Sequence, residues 1–491
     1  MINWSSHFSI RRDVAIVVIV KLLLAAYFLY LFNKNYDGSR LYHGLAVNWG
    51  DTNGYLNPIE YWLDQSVPID ACRMPGHLPL YAPLYSMLGR EWASVGLIII
   101  QFILSVVSVI CLARLAFLIL RTKFVYYSTL ILYSISTFVS IWDLVLMADS
   151  FSISLLIISC YLFWAFLNDN KWKYLIYFGL AFSGSFFFRQ ISVAIAPVFL
   201  ILLWQRSYKH IGLKHFIKSS ICAFIVPAVF LASWSLYNFN QNGRFILFVK
   251  PINECCGAFT LERLKAGEVL NNWGLNMVHW RPESPGAWFF SKDFETVIHP
   301  DISSKATINY PADSILSLKN AYTKYRNCTN DSAKTIYGNQ FVLKADYIIN
   351  DFKLQRPWYA RVFSRIGLLY SFIFPVTLDN LPLPKRSDMN GLEFLVKISY
   401  YALLILINIL ALVGSIYFFI YTKKIDFYII IIPWVLCLML ALWLGYIEQR
   451  YFAPIYPYFL IISVFFANAM GVKLFKSYPK IKGLMAPEDS Y

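Results

Sequence analysis

Long apolar runs joined by short basic connections dominate this sequence. A helix needs roughly 20 mainly apolar residues to cross a hydrocarbon core of about 30 Å, and ten runs approach that length. They occupy residues 13–33, 93–120, 124–142, 146–167, 173–188, 190–205, 217–237, 394–421, 426–445 and 452–472. The pattern predicts an all-α polytopic membrane protein, a helical bundle of about ten spans with a mixed extracytoplasmic domain.

Two parts of this pattern have alternatives. Arg189 separates the runs 173–188 and 190–205, which could instead form one long tilted helix. With ten spans, the lysines and arginines of the short connections collect on one side, as cytoplasmic loops require. A merged helix would move the basic loop 206–218 to the opposite side. The first run could be a cleavable signal peptide, but its length and the lack of a small-x-small cleavage site favour an uncleaved span.

The composition agrees with lipid as the main solvent. The chain is 58% hydrophobic and only 14% charged, whereas soluble domains carry about 25% charged residues. Its net charge of +15 falls mostly on the predicted cytoplasmic side, so topology explains the charge and nucleic acid is not an expected partner. We expect a multi-pass protein of the cell inner (plasma) membrane with both termini in the cytoplasm.

The runs divide the chain into four parts. An N-terminal transmembrane module covers residues 1–237 and includes a long first outer loop, 34–92. Residues 238–392 are long enough for a folded extracytoplasmic domain and mix helical and turn signals. A C-terminal transmembrane module, 393–475, and a cytoplasmic tail, 476–491, follow.

Three cysteines fall in the predicted outer domain, which would lie in an oxidising compartment. Cys255 and Cys256 are adjacent in sequence and are not expected to bond each other. The prediction is a disulfide from one of them to Cys328.

Two features of the first outer loop are candidates for chemistry. Asp51 lies between Gly50 and Gly54, which lets backbone or ligand approach its carboxylate closely. A turn that uses Asp and Gly for its geometry is the simpler alternative. Arg73 opens the proline- and glycine-rich segment 73–79, which holds the guanidinium at the membrane rim. A fixed fork of donors suits a phosphate there, although an arginine that snorkels to the interface is equally compatible.

Charged residues beside later spans complete the set. Asp149 lies just inside an apolar run, and a carboxylate near mid-membrane costs about 2.5–3.5 kcal/mol and is a functional candidate by default. A helix cap at the rim is the alternative for Asp149. Arg189 interrupts two apolar runs. Glu448, Arg450 and Tyr451 open the last span, where an interfacial anchor is the alternative.

The order of these motifs resembles that of the GT-C superfamily of polyprenyl- or dolichyl-phosphate-dependent glycosyltransferases. It is most similar to bacterial relatives of the protein mannosyltransferases and to the aminoarabinose-lipid A transferases. The stretches that carry the resemblance are Asp51 to Tyr55, Arg73-x-Pro75-Gly76-x-x-Pro79, Ala148-Asp149-Ser150 and Glu448-x-Arg450-Tyr451-x-x-Pro454-x-x-Pro457, with Arg189 and Tyr237-Asn238 in the same order.

The resemblance implies roles for the matched residues. Asp51 would be the catalytic base and Asp149 the second catalytic acid residue, while Arg73 and Arg450 would hold the lipid phosphate. The other substrate-binding residues would be Tyr55, His77, Arg189, Glu448 and Tyr451. Thr52 replaces the paired acid that some members carry after the base, so a divalent ion (Mg²⁺ or Mn²⁺, bound by Asp51 and Asp149) is optional rather than required.

The implied activity is that of a hexosyl- or pentosyltransferase. It would move one sugar from a polyprenyl-phosphate donor to a lipid, glycan or protein acceptor on the non-cytoplasmic face, with membrane lipids around it. Two rival functions remain open. A glycan polymerase or ligase would use diphosphate-linked oligosaccharides and should carry its main arginine cluster in large later outer loops. A lipid-glycan transporter should show internal repeats and several charges at mid-membrane.

Overall fold

The computed structural model describes residues 9–35, 41–208, 212–250, 260–275, 284–374, 389–421, 427–443 and 449–474. The chain divides into two compact units. The first unit combines Met1–Val249, Thr377–Leu436 and Ala453–Tyr491, and the second combines Lys250–Val376 with Cys437–Phe452.

Helices make up nearly all of the described secondary structure. In chain order they are α1 (Ile10–Asn35), α2 (Thr52–Gln65), α3 (Leu78–Leu120), α4 (Lys123–Ser134), α5 (Thr137–Ser140), α6 (Ala148–Asp169), α7 (Trp172–Phe188), α8 (Ala196–Leu203), α9 (Leu213–Asn242), α10 (Leu261–Asn272), α11 (Pro285–Phe290), α12 (Pro300–Ala306), α13 (Ala312–Asn327), α14 (Asp331–Gln355), α15 (Ser364–Ile373), α16 (Gly391–Tyr421), α17 (Phe427–Trp443) and α18 (Tyr456–Leu474). Short 3₁₀ or π segments lie at Pro75–His77, Ile141–Asp143, Gln190–Ile195, Trp204–Tyr208, Tyr359–Phe363 and Gln449–Phe452. The strands β1 (Leu41–Tyr42) and β2 (Ala46–Val47) form a small antiparallel pair.

The apolar helices fit a polytopic membrane protein. Five of the described helices are long and apolar enough to cross a membrane, or six if the bent pair α4 and α5 forms one span. Each of the ten predicted apolar runs coincides with helical residues, and the shorter ones correspond to α7, α8, α17 and α18. The predicted all-α polytopic fold is therefore confirmed.

Two breaks in the helices depend on particular residues. Arg189 has an extended backbone, with φ −142° and ψ 107°, so 173–205 is not one continuous helix and that alternative is wrong. Within α3, Gly89 has φ +72° and ψ 173°, a conformation that glycine adopts readily because it lacks Cβ.

A buried ion pair connects several helical segments of the first unit. The ammonium of Lys21 in α1 lies 2.7 Å from Asp143 Oδ2, and both side chains are almost fully buried. The hydroxyls of Ser105 and Ser150 donate to the same carboxylate at 2.7 and 2.6 Å, and Lys21 also donates to the Ser140 hydroxyl at 3.2 Å. Each charge thus has the several partners that a low-dielectric interior requires.

The described part of the second unit consists of helices joined by turns. Its core is rich in aromatic side chains, among them Trp273, Trp288, Phe289, Tyr322 and Phe341. Cys328 is a free thiol, so the predicted disulfide to this residue is wrong. Cys255 and Cys256 lie outside the described residues.

The Lys21–Asp143 pair generates a stability prediction. We expect Lys21→Met to destabilise the protein by about 3–5 kcal/mol, because it leaves the Asp143 carboxylate buried without its cation. The double variant Lys21→Met/Asp143→Leu removes both charges and should recover most of that loss. Apparent melting temperatures of the purified protein in detergent measure both effects. A single variant as stable as the parent would show that the pair does not stabilise the bundle.

Candidate active site

Backbone hydrogen bonds attach the first outer loop to the segment before α6. Val47 in β2 pairs in parallel with Val145. The Val47 amide donates to the Leu144 carbonyl at 2.9 Å, and the Leu146 amide donates to the Val47 carbonyl at 3.1 Å. Asp51 and Asp149 each follow the paired valine by four positions. Because the two segments run in the same direction at this pairing, Asp51 and Asp149 follow on the same side of it.

Gly50 and Thr52 shape the turn before α2. Gly50 has φ +49°, which favours glycine. The Thr52 hydroxyl accepts from the Trp49 amide at 3.0 Å and donates to the Trp49 carbonyl at 2.9 Å. Asp51 occupies the N-cap position but makes no side-chain cap bond.

The Asp51 carboxylate pairs with Arg73 instead. Arg73 Nη2 lies 3.2 Å from Asp51 Oδ1, and the two side chains are 39% and 31% exposed. The guanidinium also lies over the Tyr55 ring, 4.8 Å from its centroid, a distance typical of a cation–π contact. The guanidinium also lies beside Gly54 in α2, where a Cβ would be in ordinary contact with it at 3.7 Å. Asp51, Tyr55 and Arg73 thus form one partly exposed group.

His77 connects this group to the end of α7. Its buried ring lies 5.0 Å from the Tyr55 ring and 4.9 Å from the Phe188 ring, centroid to centroid. It has a backbone hydrogen bond with Met147 and lies close enough to Arg189 for an electrostatic interaction. His77 therefore stands between the Asp51 group and the next ion pair.

That next pair joins Asp149 and Arg189. Arg189 Nη2 donates to Asp149 Oδ2 at 2.7 Å, and Asp149 is almost completely buried while Arg189 is 17% exposed. The break at Arg189 that ends α7 leaves its side chain beside the first turn of α6. The structure thus connects Asp51, Arg73, Tyr55 and His77 to Asp149 and Arg189 through a series of contacts within the first unit.

A second polar cluster holds α2 in place. Arg90 Nη1 lies 2.8 Å from Glu60 Oε2, and Arg90 Nη2 donates to Asn53 Oδ1 at 2.6 Å. The Tyr81 hydroxyl donates to the other Glu60 oxygen at 2.7 Å. These bonds link the first turn of α2 to α3, so they help to fix the turn on which Asp51 lies.

An apolar cavity of about 590 Å³ lies directly beside the Arg73–Pro79 segment. Pro75, Gly76 and Pro79 form one wall, and aromatic and aliphatic side chains of α3, α6, α7 and α9 form the others. The aromatic residues of the lining are Phe151, Phe187, Phe188 and Phe230. Phe188 also contacts His77, so the cavity adjoins the polar group.

The remaining predicted site residues lie elsewhere in the chain. Arg450 and Tyr451 belong to the second unit, where the Arg450 guanidinium lies 5.6 Å from the centroid of the Tyr451 ring. Glu448 lies outside the described residues. Their predicted substrate-binding roles stay predictions.

The Lys21–Asp143 pair, the Glu60–Arg90 cluster and the cavity were not predicted from the sequence. A lysine in the middle of the first predicted span was a usable signal, because an intramembrane charge needs a partner. The cavity had no such signal, because phenylalanines in apolar runs are ordinary core residues.

Residues 81–235, about a third of the chain, match the family model of the dolichyl-phosphate-mannose-protein mannosyltransferases. No curated protein matches the chain significantly. The chain is similar to the apo oligosaccharyltransferase of Archaeoglobus fulgidus, with 12% identity, a TM-score of 0.47 and coverage of 99% of this chain and 53% of that chain. It is also similar to the oligosaccharyltransferase AglB of the same organism, in complex with an inhibitory peptide and a dolichol-phosphate. That match has 11% identity, a TM-score of 0.45 and coverage of 98% of this chain and 52% of that chain. The chain spans about half the length of these structures.

The fold and the site define a polytopic helical membrane protein with paired carboxylates and arginines next to an apolar cavity. The family match confirms the predicted resemblance to the GT-C superfamily of membrane glycosyltransferases.

Gly76 generates a prediction about the geometry of the site. A Cβ at this position would lie 2.6 Å from the Phe187 carbonyl oxygen and 2.9 Å from a ring atom of Phe188. Gly76→Ala should therefore displace the segment from α7 and cost about 1–3 kcal/mol, as overpacking does. Gly54→Ala is the matched control, because its Cβ would make only ordinary contacts at 3.7 Å. Equal melting temperatures for the two variants would contradict the close packing at Gly76.

Proposed function

We propose that this protein transfers one hexosyl or pentosyl unit from a polyprenyl-phosphate donor to a hydroxyl of a lipid, glycan or protein acceptor. The reaction would take place on the non-cytoplasmic face and invert the anomeric centre. The observation that carries the proposal is the contact series from Asp51 and Arg73 to Asp149 and Arg189, which lies against an apolar cavity. A carboxylate, guanidiniums and an apolar wall are what a base, a lipid phosphate and its chain require.

Asp51 is the proposed general base. Its carboxylate is about a third exposed and is not used to cap α2, so an acceptor can reach it. The carboxylate would take the proton of the acceptor hydroxyl while that oxygen attacks the anomeric carbon of the donor sugar. The bond from that carbon to the phosphate oxygen breaks, and polyprenyl phosphate leaves with the bonding electrons.

Arg73 and Arg189 are the proposed phosphate ligands. Both guanidiniums already face carboxylates, at 3.2 Å for Asp51 and 2.7 Å for Asp149. A carboxylate paired with a guanidinium is a weaker base than a solvated one. When the donor phosphate binds Arg73, it competes with Asp51 for the same donors. Donor binding would therefore release the Asp51 carboxylate from Arg73, and the released carboxylate would be the stronger base for the hydroxyl proton.

The apolar cavity is the proposed site for the first part of the polyprenyl chain. It adjoins the segment that carries Arg73, and its lining is apolar throughout. Burial of apolar surface contributes roughly 25 cal/mol per Å², so a chain in this cavity would add affinity for the donor. It would also fix the position of the phosphate relative to the two arginines.

The optional divalent ion at Asp51 and Asp149 stays a prediction. Among the described residues, no three His, Cys, Asp or Glu side chains converge to hold a metal, and each of the two carboxylates faces an arginine. Mg²⁺ is commonly held by one or two carboxylates together with substrate phosphate. The proposed reaction does not depend on the ion.

Asp51→Asn tests the assignment of the base. The variant should fold and insert normally, yet transfer of label from a radioactive polyprenyl-phosphate sugar should fall by roughly 10²–10⁴-fold. Asp64→Asn, on the same helix α2, is the matched control and should keep parental activity. Transfer at the parental rate by Asp51→Asn would exclude Asp51 as the base.

The same assay on the parental protein distinguishes the rival functions. Transfer only from diphosphate-linked oligosaccharides would favour a polymerase or ligase. Movement of the intact labelled lipid without transfer would favour a transporter.

The cavity generates a separate prediction. Ile103 lines it and is 56% exposed, so a larger side chain can enter the cavity without disturbing the core. Ile103→Trp should raise KM for the lipid-linked donor roughly tenfold or more, because it occupies the space of the chain. Ile99→Trp, one turn earlier on α3, is the control; Ile99 is 54% exposed and lies outside the cavity lining. An unchanged donor KM in Ile103→Trp would place the chain elsewhere.

A further inference from the structure

The second unit carries an exposed apolar stripe along one helical segment. The π turn Tyr359–Phe363 continues directly into α15. Trp358, Val362, Ile366 and Tyr370 follow each other at intervals of four residues and are 74%, 39%, 54% and 66% exposed. Side chains at this spacing share one face of a helix. These four side chains are called the outer stripe below.

The opposite face of the same segment is firmly packed. Ala360, Ser364 and Leu368 are at most 4% exposed. Gly274, at the end of α10, approaches so closely that a Cβ there would lie 3.3 Å from the Ser364 Cα. This packing fixes the rotation of the segment about its axis. The outer stripe is therefore a stable feature of the surface, and not the result of a loosely held helix.

The charged residues of the segment that carries the outer stripe are all basic. Arg356 and Arg361 are exposed and Arg365 is half-buried. The sequence contains no Asp or Glu between Asp351 and Asp379. Aromatic side chains combined with arginines are typical of segments that lie in the interface of a membrane. Anionic lipid headgroups complement such a charge.

An apolar helix in the same unit supports the same partner. Within the second unit, α15 packs against the turn Gln449–Phe452. The second unit also includes residues 437–443, which are the last turns of the apolar helix α17.

We propose that the outer stripe lies on the membrane surface, with its apolar side chains at the acyl-chain boundary and Arg356 and Arg361 at anionic headgroups. The partner is a lipid surface rather than a protein, because it matches both the aromatic side chains of the stripe and the arginines of the same segment. This inference goes beyond the proposed transfer reaction and does not depend on it.

Photocrosslinking of the full chain in nanodiscs tests the proposal. A p-benzoylphenylalanine replaces Ile366 in one variant and Val297 in the control. Val297 lies in the same unit and is 78% exposed, but Asp293 and Glu295 precede it. After irradiation, adducts with radiolabelled phosphatidylglycerol or phosphatidylcholine are counted on the purified protein.

We expect several-fold more lipid adduct at Ile366 than at Val297, and more with phosphatidylglycerol than with phosphatidylcholine. Arg356→Gln/Arg361→Gln should remove the preference for phosphatidylglycerol, since each basic residue near an anionic surface contributes about fivefold. Equal lipid adducts at the two positions would overturn the proposal. A protein–protein adduct at Ile366 in place of a lipid adduct would also overturn it, and would identify a second copy as the partner.

Discussion

The parallel pairing of Val47 with Val145 determines where the candidate site forms. Two backbone hydrogen bonds attach the first outer loop to the segment that enters α6. Without them, the entropy of a long free loop would oppose any fixed position for Asp51. The Arg90–Glu60–Tyr81 cluster then holds α2 against α3. The close packing of Gly76 holds the Arg73–Pro79 segment against α7. The side-chain contacts of the site depend on this backbone frame.

The ion pairs of the first unit differ in their solvent access. The Lys21–Asp143 pair is buried, and its carboxylate accepts from two serine hydroxyls. Exchange of a partner there would leave a charge unpaired in a low dielectric. The Asp51–Arg73 pair is about one third exposed, so water can solvate either charge and exchange of a partner costs less. Charge type alone does not distinguish these two pairs.

The sequence was sufficient for the helices and for part of the site. Apolar runs of span length became helices because lipid requires every backbone group to be satisfied internally, and Arg189 interrupted two of them as expected. The isolated bridge between Val47 and Val145 joins residues far apart in the chain and has no local sequence pattern, so it could not be predicted. The predicted disulfide to Cys328 was wrong because the number of cysteines in a segment does not show which of them lie close together in the fold. The cavity arises only when phenylalanines of α6, α7 and α9 and aliphatic side chains of α3 come together.

The position of Ile103 has a consequence for how the protein meets its substrates. This residue lines the cavity and yet is more than half exposed on an apolar helix, so the cavity can be reached from the apolar surface of that helix. A ligand with a long apolar tail would then arrive by diffusion in two dimensions. Its effective concentration would be its mole fraction among the surrounding lipids rather than its amount per volume. Dilution of the bilayer with inert lipid would lower occupancy even if the total quantity of ligand in the sample stayed constant.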